Sequence, residues 1–465
     1  MWLAGWALPT NKRVLGEDEM KIESVMKSSF VPTEQSRADI VTAFNAINNK
    51  RKDLDTLFSY LDGPQPLKYS TAKLAELFRS INARFEENLC SVVVEAVLDR
   101  IELEGFAVTN DDAATEKLKE VFDKLHLDLE ADEAHRASLA TSQAYIIVWK
   151  DEGETVAYYN DPRLCHVFYE DANPRKKRYA AKWFSHTDGS QEITLYYVDR
   201  IEHWVSAKME EGASKAEAFA LGIVEENTFG VIPVFEMKSV GEIFKVLTMQ
   251  DAVNKLFADM MTTSEFGALA QKWIISNADV SGLKNSPNEI WSIPAGDGQG
   301  QQTSVGQFSA SPLANFSAEM DRIANKMFVI TRTPKHYMMD TGANISGEAL
   351  LAMEAPLVKK ANKRQKRFGM QWQDIGAFIL QLEGIDVTPD QVKPIWKRTE
   401  SIQPLTEMQT IQTATGAGIP LESALVRQGW SQKEIDDVTT KKKAALRSRV
   451  NTVRVPVDGE MVQGQ

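Results

Sequence analysis

Cysteine is almost absent: Cys90 and Cys165 are the only two in 465 residues. Two thiols cannot build a disulfide framework, and they lack the C-x-x-C spacing that chelates zinc, so a reducing compartment is expected. Long hydrophobic runs are missing as well. The most apolar stretch after the N-terminus, Tyr145–Trp149, falls far short of the roughly 20 residues that span a bilayer. The opening MWLAGWALPTNKR is apolar but has neither a basic n-region nor a signal-length core. It is expected to stay attached, and no membrane partner is expected. Positive charge is in deficit, with 53 bases against 65 acids for a formal charge of -12. That balance excludes simple high-affinity wrapping of nucleic acid unless the bases are gathered on one surface.

Catalytic signatures are missing too. A phosphate-cradling P-loop needs a Lys after its glycines, and none follows Gly296, Gly298 and Gly300, whose Gly/Gln-rich surroundings read as a loop. The six histidines, His126, His135, His166, His186, His203 and His336, form no H-E-x-x-H and no i, i+4 pair. Packing or solvation therefore explains them better than metal ligation. Neither a G-x-S-x-G nor a cysteine nucleophile context occurs. Asp128, Glu130, Asp132 and Glu133 read as a solvated acidic face rather than an acid–base pair. No catalytic residue, metal or cofactor is expected, and the chain is read as a non-enzyme.

What remains is ordinary globular composition, 43% hydrophobic and 25% charged, in a chain long enough for about three domains at about 150 residues each. Apolar positions at helical spacing predict one amphipathic helix from Ser70 to Arg100, a boundary at Gly105, and a shorter helix carrying Leu118, Phe122, Leu125 and Leu129. Between Gln143 and Val205 the runs YIIVW, TVAYY, LCHVFY, YAAKWF, ITLYYV and IEHWV predict a mostly antiparallel sheet, with turns at Asp188-Gly189 and Asn173-Pro174. Helical period returns from Ile243 to Lys272. Residues 277–311 then lose all apolar period and read as an extended or hairpin-like projection. Ser311-Pro312 opens a helix with the seam Leu313, Phe316, Met320, Ile323, Met327 and Ile330, stopped by Pro334. A loop, KHYMMDTGANI, leads to a long helix from Ser346 to Leu382, which Pro356 should start or bend. Short helices are expected at Pro420–Gln428 and after Ser431-x-x-Glu434.

Two basic runs stand out. Lys359, Lys360, Lys363, Arg364, Lys366 and Arg367 place six cations in the long helix with no acid among them. They face either acidic neighbours in an oligomer, the favoured reading, or phosphates. Lys441, Lys442, Lys443, Arg447 and Arg449 sit near a helix end, where cations complement the helix dipole, the favoured reading over nonspecific phosphate contact.

The motifs G-V-I-P-V at Gly230–Val234, L-x-x-Q-D-A-x-N-K at Leu247–Lys255, S-E-F-x-A at Ser264–Ala268, S-G-E-A-L at Ser346–Leu350 and R-F-G-x-x-W at Arg367–Trp372 occur in an order that resembles the tailed-bacteriophage portal protein. N-L-C-x-x-V-V-x-A-V at Asn88–Val97 and E-G-F at Glu104–Phe106 look like its siphophage, head-to-tail connector branch. The resemblance spans roughly Tyr69 to Lys442.

The resemblance implies an α+β, portal-like fold. Residues 1–240 would be a mixed wing, 241–276 a first stem helix, 277–311 a small clip and 312–334 a second stem helix. Residues 335–345 would be a tunnel loop, 346–403 the long bent helix and return strand of the wing, and 404–465 a helical crown with a flexible tail. It also implies a homo-oligomeric ring of about twelve subunits at one capsid vertex, a conduit for double-stranded DNA in packaging and ejection. Terminase, a head-tail adaptor, the major capsid protein and scaffolding protein would be its partners, and the chain would be assembled in the host cytoplasm into the virion. Channel-facing positions would be Lys335, His336, Met338, Met339, Asp340 and Asn344. The apolar seams of the stem helices would pack against each other and against neighbouring subunits. The alternatives are a DNA-processing enzyme with a site assembled from distant residues and a head-assembly adaptor without a channel.

Overall fold

The computed structural model describes residues 31–72, 76, 87–151, 153–206, 215–268, 272–275, 304–308, 312–337, 347–400, 404–428, 430, 435–436 and 438–444. The chain divides into two compact units, residues 1–342 with 354–397, and residues 343–353 with 398–465.

The first unit begins with α1 (Glu34–Leu61), capped by the Thr33 hydroxyl on Ser36 N–H. Its buried stripe Ile40, Ala43, Phe44 and Ile47 recurs at three and four, so one face can lie on a sheet. After it, α2 (Leu89–Leu98) starts sharply because the Asn88 side chain accepts from Ser91 N–H. The single helix expected from Ser70 to Arg100 is therefore broken at residues 87–88, where the chain is not helical. An Asn that caps interrupts a helix without disturbing its apolar period. Strand β1 (Leu103–Val108) contains Gly105, at φ 147°, beside a register shift against its partner. That glycine marks a bulge inside a strand rather than a boundary. Helix α3 (Asp112–Leu125) ends at His126, held at φ 49°, and α4 (Leu127–Thr141) follows directly. The expected helix through Leu129 is thus two helices.

Eight strands come next among the described residues: β2 (Tyr145–Asp151), β3 (Glu154–Asn160), β4 (Cys165–Glu170), β5 (Asn173–Ser185), β6 (Gln191–Tyr196), β7 (Arg200–Ser206), β8 (Ala220–Glu226) and β9 (Val234–Glu236). They form two antiparallel sheets, ordered β3-β2-β9 and β4-β5-β6-β7-β8. The β5–β6 turn has Gly189 at φ 88° and Asp188 Oδ1 accepting from Ser190 N–H, as its Asp-Gly dipeptide predicts. The turn expected at Asn173-Pro174 lies instead at residues 171–172, and Asn173 already belongs to β5. Pro174 is tolerated there because the β4–β5 register slips beside it, between Tyr169 and Glu170.

Helix α5 (Leu247–Ala268) is preceded by a short 3-10 turn at Ile243–Lys245 and is followed by β10 (Lys272–Ile275), so it ends before the expected Lys272. β10 pairs antiparallel with β11 (Ser304–Gln307). The glycine-rich segment between them lies outside the described residues. Helix α6 (Ala314–Thr331) ends at Arg332, whose N–H still donates to Phe328 O and whose φ of 61° turns the chain out of the helix just before Pro334. Ser311, the expected N-cap, lies outside the described residues. Helix α7 (Gly347–Leu382) runs through Pro356 without ending there, about 54 Å at about 1.5 Å per residue. Strand β12 (Val392–Trp396) returns to pair with β1.

The main core gathers α2, α3, α4, α5, α6 and α7 around Phe328, Phe368, Trp372, Ile375 and Ile379, all fully buried. A second core holds α1 against β5, β6 and β7 through Phe44, Trp183, Leu195 and Trp204. Where α7 crosses β12, a Cβ on Gly376 would meet Val392 Cγ1 at 2.9 Å and Leu118 Cδ2 at 3.4 Å. Gly376→Ala gains up to about 1 kcal/mol of helix propensity and loses about 1–3 kcal/mol to overpacking. A net fall in the urea midpoint is expected, and an increase would show that the α7–β12 contact has slack.

The second unit contains α8 (Pro404–Gly416) and α9 (Leu421–Arg427), joined through Ile411, Leu425 and Ile435. The Trp430 indole N–H donates to Glu407 Oε1 at 2.6 Å, and Arg398 pairs with the same carboxylate at 3.0 Å. Pro420 stands as the cap of α9. Gly429, Ser431 and Glu434 lie outside the described residues.

Candidate channel loop and basic helix

Past Pro334 the chain makes a short 3-10 turn, Lys335–Tyr337, which starts the loop singled out in the sequence. Lys335 is exposed. His336 Nε2 lies 3.3 Å from Glu354 Oε1 on α7, while Arg100, just beyond α2, pairs with Glu354 Oε2 at 3.1 Å and donates to the Tyr337 hydroxyl at 2.8 Å. Glu354 is buried. The root of the loop is thus tied to two helices by one carboxylate shared between a guanidinium and an imidazole. Met338, Met339, Asp340 and Asn344 lie outside the described residues.

The six-residue seam of α6 is only partly the buried face. Met327 is fully buried, and Met320 and Ile323 pack on the main core. Phe316 is half-buried, and Leu313 and Ile330 are exposed. The inward face of the last two turns is instead Ala324, Met327, Phe328 and Thr331.

The basic run on α7 divides into two groups with different environments. Lys360 and Arg364 turn inward onto Glu242, which is fully buried: Lys360 Nζ lies 3.1 Å from Glu242 Oε2 and Arg364 donates to Oε1 at 2.6 Å. Lys245 adds a third cation at 2.7 Å, and Lys360 also donates to Thr331 O at 2.7 Å. Burial alone would raise the Glu242 pKa, but Lys360, Lys245 and Arg364 together hold it below the usual carboxylate range. Burial pushes Lys360 down to about 8, outweighing the attraction of Glu242. These contacts join α7 to the entry of α5 and the end of α6. Lys359, Lys363, Lys366 and Arg367 all point outward and are exposed. Lys441, Lys442 and Lys443 are exposed in the second unit, and Arg447 and Arg449 lie outside the described residues.

Of the histidines, His135 is buried and its Nε2 accepts from the Trp372 indole at 2.9 Å. His186 and His203 both bond to Glu192, at 2.9 and 2.7 Å. Among the described residues no group of three or more His, Cys, Asp and Glu is placed to hold a metal ion. Among them, too, no helix is long and apolar enough to cross a membrane.

A family model described as "Phage portal protein, SPP1 Gp6-like" matches residues 45–447. The chain belongs to the phage portal protein family. The portal protein of Mycobacterium phage L5 is 24% identical over 443 residues, covering 86% of this chain and 87% of that protein. The portal protein of Mycobacterium phage D29 is 24% identical over 386 residues, covering 74% and 76%. Among solved structures, a chain in the virion of a native gene transfer agent particle aligns with TM-score 0.45 at 11% identity, over 82% of this chain and 94% of that one. A chain in the neck of the native particle, computed with C12 symmetry, aligns with TM-score 0.42 at 11% identity, over 81% and 96%.

In this portal chain the sequence reading passed over the residues that fix the root of α5. Within the L-x-x-Q-D-A-x-N-K motif, Gln250, Asp251 and Asn254 are buried. Gln250 Oε1 accepts from Leu89 N–H at 3.0 Å, and its amide donates to Glu87 O at 2.6 Å. Asn254 donates to Gln65 Oε1 at 2.7 Å, and Asp251 accepts from the Tyr60 hydroxyl. A satisfied polar network of this kind fixes helix register more strictly than apolar contact can. Polar residues at i, i+1 and i+4 on an otherwise apolar helix face were the available signal. Glu242 had none, since its partners on α7 lie far away in sequence.

Proposed function

We propose that copies of this chain assemble into a ring of about twelve subunits at one capsid vertex, a conduit through which double-stranded DNA is packaged and ejected. The observation that carries the reading is the portal family match over residues 45–447. In this ring residues 1–240 with α7 and β12 form the wing, α5 and α6 the stem, residues 277–311 the clip, residues 335–345 the loop at the channel, and residues from 404 onward the crown. Terminase and head-tail adaptor proteins dock on the ring, the major capsid protein surrounds it, and scaffolding protein assists its incorporation. Assembly takes place in the host cytoplasm and the product is a virion component. The chain itself turns over no substrate, and the energy for packaging comes from the terminase. The charge of -12 suits passage, because a strongly basic lumen would retain phosphates by counterion release.

Negative-stain imaging with native mass measurement tests the ring directly. An annular particle of about twelve copies is expected at assembly concentrations. A compact monomer that persists across a concentration series overturns the proposal.

A further inference from the structure

The four outward cations of α7 form a single stripe. Lys359, Lys363, Lys366 and Arg367 recur at i, i+4, i+7 and i+8, covering about 12 Å of one helix face. Met370, 63% exposed, continues that face. Among the described residues none of the four makes an ion pair, although acids outnumber bases in the chain.

A surface of the opposite character lies where α2, β1 and α4 meet. Asp99, Asp128 and Asp132 line a cleft of about 310 Å³, with Leu129 at its rim, 64% exposed. All three acids are exposed, and among the described residues none has a cation within ion-pair distance. Partial burial first, and the neighbouring carboxylates Glu95 and Glu133 second, raise the pKa values of Asp99 and Asp132, with Arg100 and Arg136 only partly offsetting them. The cleft and the stripe lie on opposite sides of α7. His135, in the cleft wall, packs on Phe368 with ring centroids 4.4 Å apart and bonds Trp372, both on the inward face of that helix.

We propose that the α7 stripe of one copy docks on the Asp99–Asp128–Asp132 cleft of the next, with Met370 and Leu129 meeting in the contact. This rests on the ring reading and names the surfaces that close it. Cations around one exposed apolar side chain match acids around another, and the two patches face apart, so neither can satisfy the other within one chain. Such a contact is heterologous, head to tail, the kind that closes into a ring when its rotation permits. A second copy fits the stripe better than a DNA backbone does, because an exposed methionine gains nothing against hydrated phosphate.

Charge reversal tests the contact in the full chain. One variant carries Lys363→Glu with Arg367→Glu, the other Asp128→Lys with Asp132→Lys. Each alone sets like charge against like and is expected to lower the ring population at least tenfold in native mass measurement, with an unchanged circular dichroism spectrum. Mixed in equal amounts, they should recover rings with the variants alternating, because each reversed surface then meets its reversed complement. Lys363→Gln with Arg367→Gln should give an intermediate loss, and it carries the test should a reversal variant fail to fold. Either folded reversal variant assembling alone as well as wild type overturns the contact, as does a mixture of folded variants that stays unassembled. Variants that assemble normally but lose salt-dependent binding to a DNA duplex also overturn it, reassigning the stripe to phosphate. A wild-type chain that forms no ring sinks the ring reading and this contact together, whereas rings from every variant sink the contact alone.

Discussion

Glu242→Ala is expected to cost about 3–5 kcal/mol, seen as a large fall in the urea midpoint of the full chain, because it leaves buried cations without their counter-charge. Lys360 and Arg364 both reach Glu242 from α7, and Lys245 reaches it from the entry of α5. Removing the hub therefore loosens the attachment of α5 and α6 to α7 as well as lowering stability. The converse substitution behaves differently. Lys360, held near a pKa of about 8 by burial, binds its proton less tightly in the folded chain than in the unfolded one. Its buried charge thus weighs against folding below about pH 8, and that cost disappears as pH rises toward its ordinary value of 10.5. Lys360→Met keeps the stem, leaves Glu242 paired with Lys245 and Arg364, and gives up one hydrogen bond to Thr331 O. Its midpoint at pH 7 should lie within about 1 kcal/mol of wild type. Equal losses in the two variants would mean that Lys360 rather than Glu242 organises the cluster.

That asymmetry also shows why the α7 basic run resisted interpretation from sequence. Six cations in nine positions look like one surface when only the run is visible. Glu242 selects two of them, and it stands more than a hundred positions earlier in a segment without periodicity. The strands were readable because each aromatic or β-branched run supplies its own evidence, and YIIVW lies within β2 and the ITLY of ITLYYV within β6. Helix breaks were harder. Asn88 and His126 interrupt helices without disturbing the three-and-four spacing of apolar residues around them, so the period ran through both. Helix α1 went unread because its buried positions are interleaved with charged ones; its first half becomes core only against the β5–β7 face, and Leu54, Leu57, Tyr60 and Leu61 only within the main core. Periodicity fixes the buried direction to within about one residue, enough for Met327 but too coarse to choose Phe328 over Ile330.

Acid should destabilise the fold well above the range in which carboxylates titrate, with His135 and His166 contributing alike down to about pH 4 and His135 alone below it. Burial pushes its pKa down to about 3, and burial with Lys50 nearby pushes His166 down to about 4. An unfolded chain takes up these protons near pH 6.5, and the folded chain does not until about pH 3 to 4. The unfolded state therefore binds more protons in between, and stability falls as pH drops through that window at about 1.4 kcal/mol per unit for each histidine. For His135 this sums to about 5 kcal/mol at pH 3. Urea midpoints measured from pH 7.5 to 5 read the histidines above the range in which the depressed carboxylate of Glu242 loses its contribution, and the raised carboxylates Asp99, Glu130, Asp132 and Asp374 act there with the opposite sign. His135→Gln places an amide oxygen where Nε2 accepts from Trp372, so the core keeps that bond while the titrating group is gone. The variant should lose about 1–2 kcal/mol at pH 7.5 and show an acid slope shallower by about one proton. If the slope is unchanged, the proton taken up on unfolding belongs to another group. His166, beside Lys50 Nζ at 3.3 Å, is then the residue to replace, since its depressed pKa carries the same sign and the same slope down to about pH 4.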